Sequence, residues 1–256
     1  MSGFQIWATI FLVTCLLANT LGQEEKRAKT SQVVFVVSDN WDSDSGKLFA
    51  FEYQKEAWVS VFRGLSVTLG SAGTGIGLGM HPAGLQGTEK REGDKRAPAG
   101  IFPLEFSFGT KPVEEFGKTG LHYKITSSAD YWVDDAKSTF YNRLVNTDAS
   151  KIRKDWSSAE TLRRSDGLYD LVIVVGHNRS PRIIPGRGSA IFLHRWSAPG
   201  KPTIGCTAMA PNNLQKLWSW LDAKKIPLLV QGPRDFVKKL SPPPIASDQL
   251  EAILRP

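Results

Sequence analysis

The chain carries the sequence GRGSAIFLHRWSAPGKPTIGCTAM at residues 186–209. An apolar run ends at His194, a loop with two prolines follows, and a second short run begins after Cys206. This pattern predicts a strand, a turn and a second strand that place His194 and Cys206 side by side. A cysteine nucleophile needs an imidazole within hydrogen-bond reach, because the imidazole takes the thiol proton. Gly205 lets the backbone approach a bound carbonyl, and the N–H groups around Gly205 and Cys206 can stabilise an oxyanion.

Most of the remaining chain is predicted as short strands rich in β-branched and aromatic residues. Their spacing favours a mainly β fold, a sandwich or barrel-like sheet system, over repeated βαβ units. One helix is predicted over residues 211–224, directly after the cysteine, because Pro211 suits a first turn and apolar side chains recur on one face. A second helix is predicted over residues 157–164. The predicted strands are residues 32–37, 49–53, 58–62, 65–69, 102–108, 121–125, 171–175, 190–194 and 227–231.

The composition excludes several classes of protein. The 256 residues, 22% charged and 10% aromatic, suit one domain with a real core and argue against disorder. Two cysteines cannot build a disulfide-rich scaffold or a four-cysteine zinc site. The four histidines are too far apart in the sequence for a chelating pair, so we expect no metal and no cofactor. The glycine run at residues 73–79 lacks nucleotide-binding spacing and is interpreted as a strand edge.

The amino terminus resembles a secretory leader. Residues 6–17 form a twelve-residue apolar run, and the first charged residue is Glu24. We therefore predict a signal peptide over residues 1–22, a linker over 23–31, a catalytic domain over 32–236 and a proline-containing tail over 237–256. The expected location is the periplasm or cell wall. The alternative is an uncleaved leader, which would be the chain's sole contact with a membrane, although a spanning helix needs roughly 20 residues.

The formal charge of +7 comes from 32 Lys and Arg against 25 Asp and Glu. These residues are scattered and match no nucleic-acid recognition pattern, so no nucleic-acid partner is expected. An acidic partner such as the carboxylates of cell-wall peptides fits this charge. An ordinary solvated basic surface fits it equally well.

Export changes the interpretation of the cysteines. Cys15 would leave with the leader, so Cys206 would have no disulfide partner in its own chain. A single cysteine in an exported protein is an intermolecular link, a buried inert thiol or a reactive nucleophile.

The segment around Cys206 resembles the active-site motif of L,D-transpeptidases with the YkuD-type catalytic domain, a His followed by Ser/Thr-x-Gly-Cys. Here residues 203–206 read TIGC. Residues 87–102, GTEKREGDKRAPAGIF, are similar to the K-R-E-G-D and P-x-G-x-F block of one branch of that family. The resemblance covers roughly residues 58–232, with its blocks in family order. It also includes Trp156, Ala159, Glu160 and residues 176–178, GHN.

This resemblance implies an activity and a substrate. Cys206 would be the nucleophile and His194 the base, with the backbone carbonyl of Arg195 orienting the imidazole. The substrate would be a peptidoglycan stem tetrapeptide that loses D-alanine, and the thioester would pass to an amine of a neighbouring stem in a 3→3 cross-link. Transfer to water would give an L,D-carboxypeptidase, and transfer to a D-amino acid would give an exchange enzyme.

The resemblance also suggests further site residues and has two departures. Many family members have His where this chain has Ile204, and Asn or Arg where it has Ala208. These departures leave an inactive wall-binding β domain as another interpretation. Arg187 either binds an anion or fixes its own loop, and the neighbouring Lys90 and Arg91 either bind substrate or are solvated. The candidate substrate-binding residues are Arg187, Ser189, Thr203, Lys90 and Arg91.

Overall fold

The computed structural model describes residues 30–148, 152–179, 182–240 and 245–255. The predicted signal peptide and all but two residues of the predicted linker lie outside the described residues. The predicted mainly β fold is confirmed, and the described residues contain three α-helices rather than the one or two expected. The strands are β1 Gln32–Ser38, β2 Ser45–Gln54, β3 Ala57–Thr68, β4 Thr74–Ile76, β5 Ala97–Gly109, β6 Tyr123–Ile125, β7 Asp130–Val133, β8 Leu144–Asn146, β9 Ala159–Thr161, β10 Leu171–Val175, β11 Phe192–Arg195, β12 Thr207–Met209 and β13 Leu228–Pro233. The helices are α1 Pro211–Trp220, α2 Arg234–Lys239 and α3 Ser247–Leu254.

Eight strands close into a barrel-like sheet. Their order is β10-β11-β12-β3-β2-β1-β13-β5, and a β5–β10 pairing closes the ring. Strands β4 and β6 pair with β5 outside this ring. Closure gives every ring strand a neighbour on both sides, although β12 covers only Val67 and Thr68 of β3. Strand β1 is buried along its whole length, which explains why its sequence is continuously apolar after Gln32.

Helix α1 packs its apolar side onto one face of this sheet. Leu214, Leu217 and Trp218 are buried together with side chains of β1, β5 and β11. The indole Nε1 of Trp218 donates to Ser107 Oγ at 2.9 Å. The helix ends at Trp220, four residues before the predicted end, because the backbone becomes extended at the next residue. The Asp222 side chain then accepts from the Lys224 N–H and caps a separate 3₁₀ turn.

A second apolar cluster lies on the opposite side of β1. It includes Phe35, Phe51 and Val230 from the sheet and Phe236 from α2. The predicted tail contributes to the same cluster through Ile253 of α3. Much of the segment predicted as a tail is therefore folded onto the sheet. Within the described residues, every helix is too short or too polar to cross a membrane.

The prediction of a helix over residues 157–164 is wrong. The structure contains strand β9 there, and β9 forms a three-stranded sheet in the order β8-β7-β9. Glu160 pairs with Trp132 of β7, and Leu162 is buried just beyond the strand. The Asp135 carboxylate accepts from the Ser157 N–H and hydroxyl at 2.8 and 2.7 Å. These two bonds hold the segment just before β9 in a non-helical conformation. Tertiary pairing thus overrides a weak local helix preference.

The glycine run forms β4 and the turn after it. Strand β4 lies at the end of the sheet order. This position agrees with the prediction that the glycine run forms a strand edge. A β-carbon added at Gly79 would lie 2.2 Å from the carbonyl oxygen of Ile101. Only glycine permits this close approach of two backbones.

Candidate active site

The predicted neighbours His194 and Cys206 lie on adjacent strands. Strands β11 and β12 are parallel, with Leu193 opposite Thr207 and His194 opposite Ala208. Cys206 immediately precedes β12. Because side chains alternate along a strand, the cysteine is in phase with Ala208 and therefore with the face that carries His194. The loop between the two strands thus places a thiol and an imidazole on one side of the sheet.

The imidazole of His194 is held from two directions. Its Nδ1 lies 2.7 Å from the carbonyl oxygen of Arg195. A carbonyl can only accept, so Nδ1 carries the proton and Nε2 is left as a base. The Tyr169 ring packs edge-on against the imidazole, with 5.7 Å between ring centroids. Burial lowers the pKa of His194 from 6.5 to about 4, so the ring is neutral at pH 7.

Cys206 is half-buried, and its thiol is protonated at rest. Sγ donates to the carbonyl oxygen of Ala190 at 3.4 Å. Burial raises the thiol pKa from 9 to about 12; the Phe192 backbone and the Lys90 charge oppose this rise, and the Glu160 charge adds to it. The resting pair is therefore a neutral thiol and a neutral imidazole.

The carbonyl of Ala190 is fixed by an unusual backbone conformation. Ala190 has a φ of 52°, in the left-handed region that non-glycine residues seldom adopt. Its N–H donates to Asn142 Oδ1 at 3.2 Å. The Asn142 amide also donates to the carbonyls of His177 and Asn178, at 3.1 and 2.7 Å. The surrounding contacts thus maintain local strain next to the thiol, as is common at functional sites.

Thr203 and Gly205 build the turn that presents Cys206. Thr203 Oγ1 accepts from the Gly205 N–H at 3.1 Å and donates to the Cys206 carbonyl at 2.6 Å. Gly205 has a φ of 142°, which a residue with a side chain adopts only with strain. The Gly205 N–H, predicted as an oxyanion donor, is occupied in this structure. Thr203, predicted as a substrate-binding residue, is partly exposed, and its hydroxyl shapes the turn.

Lys90 is a buried cation beside this turn. Its side chain is 3% exposed, and Nζ contacts Asp94 Oδ1 at 2.5 Å and the Arg91 carbonyl at 2.7 Å. A β-carbon added at Gly205 would lie 3.9 Å from Lys90 Nζ. This proximity explains why the Lys90 charge lowers the pKa of Cys206. The Arg91 side chain is exposed.

The other two predicted substrate-binding residues are engaged within the protein. Arg187 Nη2 lies 3.5 Å from Glu89, and its Nε donates to the Lys90 carbonyl. Its side chain lines a cavity of about 390 Å³ together with His81, and that lining includes neither catalytic candidate. Ser189 is buried, and its hydroxyl donates to Glu92 at 2.7 Å.

His177 bonds to the loop that carries Arg187. It is fully buried, Nδ1 accepts from the Leu78 N–H at 3.1 Å, and Nε2 donates to the Arg187 carbonyl at 2.9 Å. Burial lowers the pKa of His177 to about 3, so it is neutral. With both ring nitrogens bonded to the backbone, His177 is a structural residue.

Two residues near the thiol had no role assigned from the sequence. Tyr169 is buried against Phe192, and its hydroxyl donates to Glu160 Oε2 at 3.3 Å. Arg164 lies over the Tyr169 ring at 5.2 Å. Glu160 falls in a segment that resembles the transpeptidase family, but no local pattern shows that β9 approaches Cys206. The signal for Tyr169 is its position two residues before the start of β10, the antiparallel neighbour of β11.

In the described residues, no group of three or more His, Cys, Asp or Glu side chains is arranged to hold a metal ion. The fold and the site together define a β-barrel domain that presents one cysteine beside one histidine on parallel strands. The model of the YkuD family, the L,D-transpeptidase catalytic domain, matches residues 40–232, and the chain belongs to this family. Searches of curated proteins and of solved structures each give no match.

Proposed function

We propose that this protein is an exported, cysteine-dependent L,D-transpeptidase that acts on peptidoglycan stem peptides. The observation that carries the proposal is the tautomer of His194. The Arg195 carbonyl holds the proton on Nδ1, which leaves Nε2 as a base on the strand next to Cys206. Family membership supports this chemistry.

In the first half-reaction, Cys206 Sγ attacks the carbonyl carbon of the third residue of a stem tetrapeptide. The thiol proton passes to His194 Nε2 as the S–C bond forms. The C–N bond to the terminal D-alanine then breaks, and His194 returns the proton to the leaving amine. The product is a thioester on Cys206 and free D-alanine.

In the second half-reaction, an amine of a neighbouring stem attacks the thioester carbon. A C–N bond forms, the C–S bond breaks, and a proton returns to Sγ through His194. The product is a 3→3 cross-link. The thioester retains the energy of the broken amide, so the transfer needs no ATP and no cofactor.

The location belongs to the same proposal. A signal peptide over residues 1–22 would direct the protein to the periplasm or cell wall, where the substrate is found. In this reading residues 23–31 are a linker, residues 32–236 are the catalytic domain and residues 237–256 follow it.

The test is to incubate the purified protein with disaccharide-tetrapeptide and to identify the products by mass spectrometry. We expect free D-alanine and cross-linked dimers, both lost in Cys206→Ala. Undiminished products in Cys206→Ala would overturn the mechanism. Hydrolysed tripeptide alone would identify a carboxypeptidase, and incorporation of an added D-amino acid would identify an exchange enzyme. Wall binding without turnover would identify an inactive binding domain.

A further inference from the structure

Charges of opposite sign flank the thiol of Cys206. Lys90 lies beside Gly205, and its charge lowers the thiol pKa. Glu160 projects from β9, a strand of the separate three-stranded sheet, and its Oε2 accepts from the Tyr169 hydroxyl. The Tyr169 ring packs against His194, and Cys206 packs against the apolar cluster that contains Tyr169. The Glu160 charge raises the thiol pKa. A carboxylate in this position opposes formation of the thiolate, so it does not serve to activate the nucleophile.

Glu160 has an oxygen available for a ligand. Its side chain is 34% exposed. Oε2 accepts from the Tyr169 hydroxyl at 3.3 Å and lies 3.7 Å from Arg164 Nη1. Among the residues that the structure describes, no group donates a hydrogen bond to the other oxygen, Oε1. The carboxylate is thus anchored through one oxygen and open through the other.

The second nearby carboxylate is already occupied. Glu92 Oε2 accepts from the hydroxyls of both Tyr141 and Ser189. The buried cation on the opposite side is likewise bonded to Asp94 and to the Arg91 carbonyl. Of the two charged side chains that shift the pKa of Cys206, Lys90 is engaged with Asp94 and the Arg91 carbonyl, whereas Glu160 keeps one oxygen without a donor among the described residues.

A carboxylate near Cys206 has opposite effects on the two half-reactions. Before acylation the site must accommodate a developing thiolate, which Glu160 disfavours. After acylation the thioester is uncharged, and the incoming acceptor amine is an ammonium ion at neutral pH. Burial raises the pKa of Glu160, and its partly buried carboxylate, once ionised, attracts that cation through a charge-assisted hydrogen bond.

We propose that Glu160 is the specificity residue for the acceptor and binds the ammonium group of the incoming stem peptide beside the Cys206 thioester. This inference rests on the proposed function. When the ammonium becomes an amide, its nitrogen gives up two protons. One passes through His194 to Sγ as the C–S bond breaks, and the other leaves to water through the Glu160 carboxylate. Water and uncharged nucleophiles reach the thioester without this contact.

The test compares charged and uncharged acceptors in Glu160→Gln. Glutamine keeps the volume and an acceptor for the Tyr169 hydroxyl but removes the charge. We expect the KM for the amine-bearing acceptor to rise about tenfold, the value for losing one charge-assisted contact at a half-exposed site. Transfer of the acyl group to hydroxylamine, which is largely uncharged at neutral pH, should not slow, and neither should hydrolysis of the thioester. Release of D-alanine should be at least as fast as in wild type, because the charge that raises the thiol pKa is gone.

Two variants serve as controls. Glu160→Asp keeps the charge and should restore most of the acceptor affinity. Glu89→Gln removes a carboxylate that pairs with Arg187 away from the thiol, and it should behave as wild type. A purely structural role for Glu160 through Tyr169 would slow transfer to hydroxylamine and to the amine equally, which would overturn the proposal.

The test separates this inference from the proposed function. If the wild-type protein releases D-alanine and Glu160→Gln has an unchanged acceptor KM, the role of Glu160 is wrong and the function stands. If the wild-type protein releases no D-alanine from any stem tetrapeptide, the proposed function is wrong and the role of Glu160 falls with it.

Discussion

Replacing His194 should change how acylation of Cys206 depends on pH. The thiol pKa is raised from 9 to about 12. At pH 7 the thiolate fraction is then about 10⁻⁵, against about 10⁻² for an unperturbed thiol. The difference, about a thousandfold or about 4 kcal/mol, makes the spontaneous thiolate route negligible. Acylation must proceed by transfer of the thiol proton to His194 as the S–C bond forms.

The pKa of His194 sets the range over which this transfer operates. It is lowered from 6.5 to about 4, so the base is neutral above that pH and becomes protonated as the pH falls through it. Between pH 5 and 9 the wild-type acylation rate should therefore be flat, with an acid limb near pH 4. In His194→Gln only the thiolate reacts, so the rate should rise about tenfold per pH unit over the same range.

The assay is the rate of covalent labelling of Cys206 by a carbapenem, a β-lactam class that this family accepts, followed by intact-protein mass spectrometry. At pH 7 the loss in His194→Gln should be about 10²- to 10⁴-fold, the usual contribution of a general base. Thermal unfolding checks that the variant is folded. A wild-type rate that climbs up to pH 9 in parallel with the variant would refute the reasoning, because it would show an ordinary thiol and no base.

Three further predictions concern Lys90 and Gly205 beside the thiol and Glu52 on β2. Lys90→Met should slow alkylation of Cys206 by iodoacetamide at pH 9 several-fold, because the cation that lowers the thiol pKa is lost, whereas Lys90→Arg should retain most of the rate. Gly205→Ala should lower the free energy of unfolding by about 1–3 kcal/mol, measured by urea denaturation, since alanine is strained at a φ of 142°. Burial alone would raise the pKa of Glu52, but hydrogen bonds led by that from Lys225 lower it from 4.5 to about 2. The resulting stabilisation is present above pH 4.5 and lost as the pH falls to 2, so Glu52→Gln should cost at most about 3 kcal/mol at pH 7 and little at pH 2.

Many strands of the barrel and the first helix follow from local sequence patterns, whereas β7 and β8 are not predicted and the predicted strands 58–62 and 65–69 are the single strand β3. The run at residues 171–175 is β10 residue for residue, and Pro211 begins α1 as predicted. These segments have a strong apolar pattern that agrees with their burial. Residues 157–164 have no such pattern. Their conformation depends on pairing with β7 and on the Asp135 carboxylate, which are not visible in a local window.

The contrast between local sequence patterns and tertiary contacts also applies to the active site. The adjacency of His194 and Cys206 is predictable because one short loop joins their two strands. Tyr169 packs against His194, and Glu160 bonds to Tyr169, through contacts between distant parts of the chain that only the folded barrel creates. The left-handed conformation of Ala190 is also a tertiary effect, since alanine has no local preference for it.

The resting state of the site suits the compartment that we propose for it. Oxidants attack the thiolate, and the protein keeps Cys206 as a half-buried thiol bonded to the Ala190 carbonyl. A permanent thiolate–imidazolium pair would react faster with substrate and would also be oxidised faster. The neutral pair forms the nucleophile only when a carbonyl is available to receive it, because His194 is already in the required tautomer. A solitary cysteine can then remain reduced outside the cytoplasm and still act as a nucleophile. This predicts that His194→Gln slows acylation far more than it slows oxidation of Cys206 by hydrogen peroxide, measured on the same preparation. Equal slowing of both reactions would mean that His194 maintains a thiolate at rest.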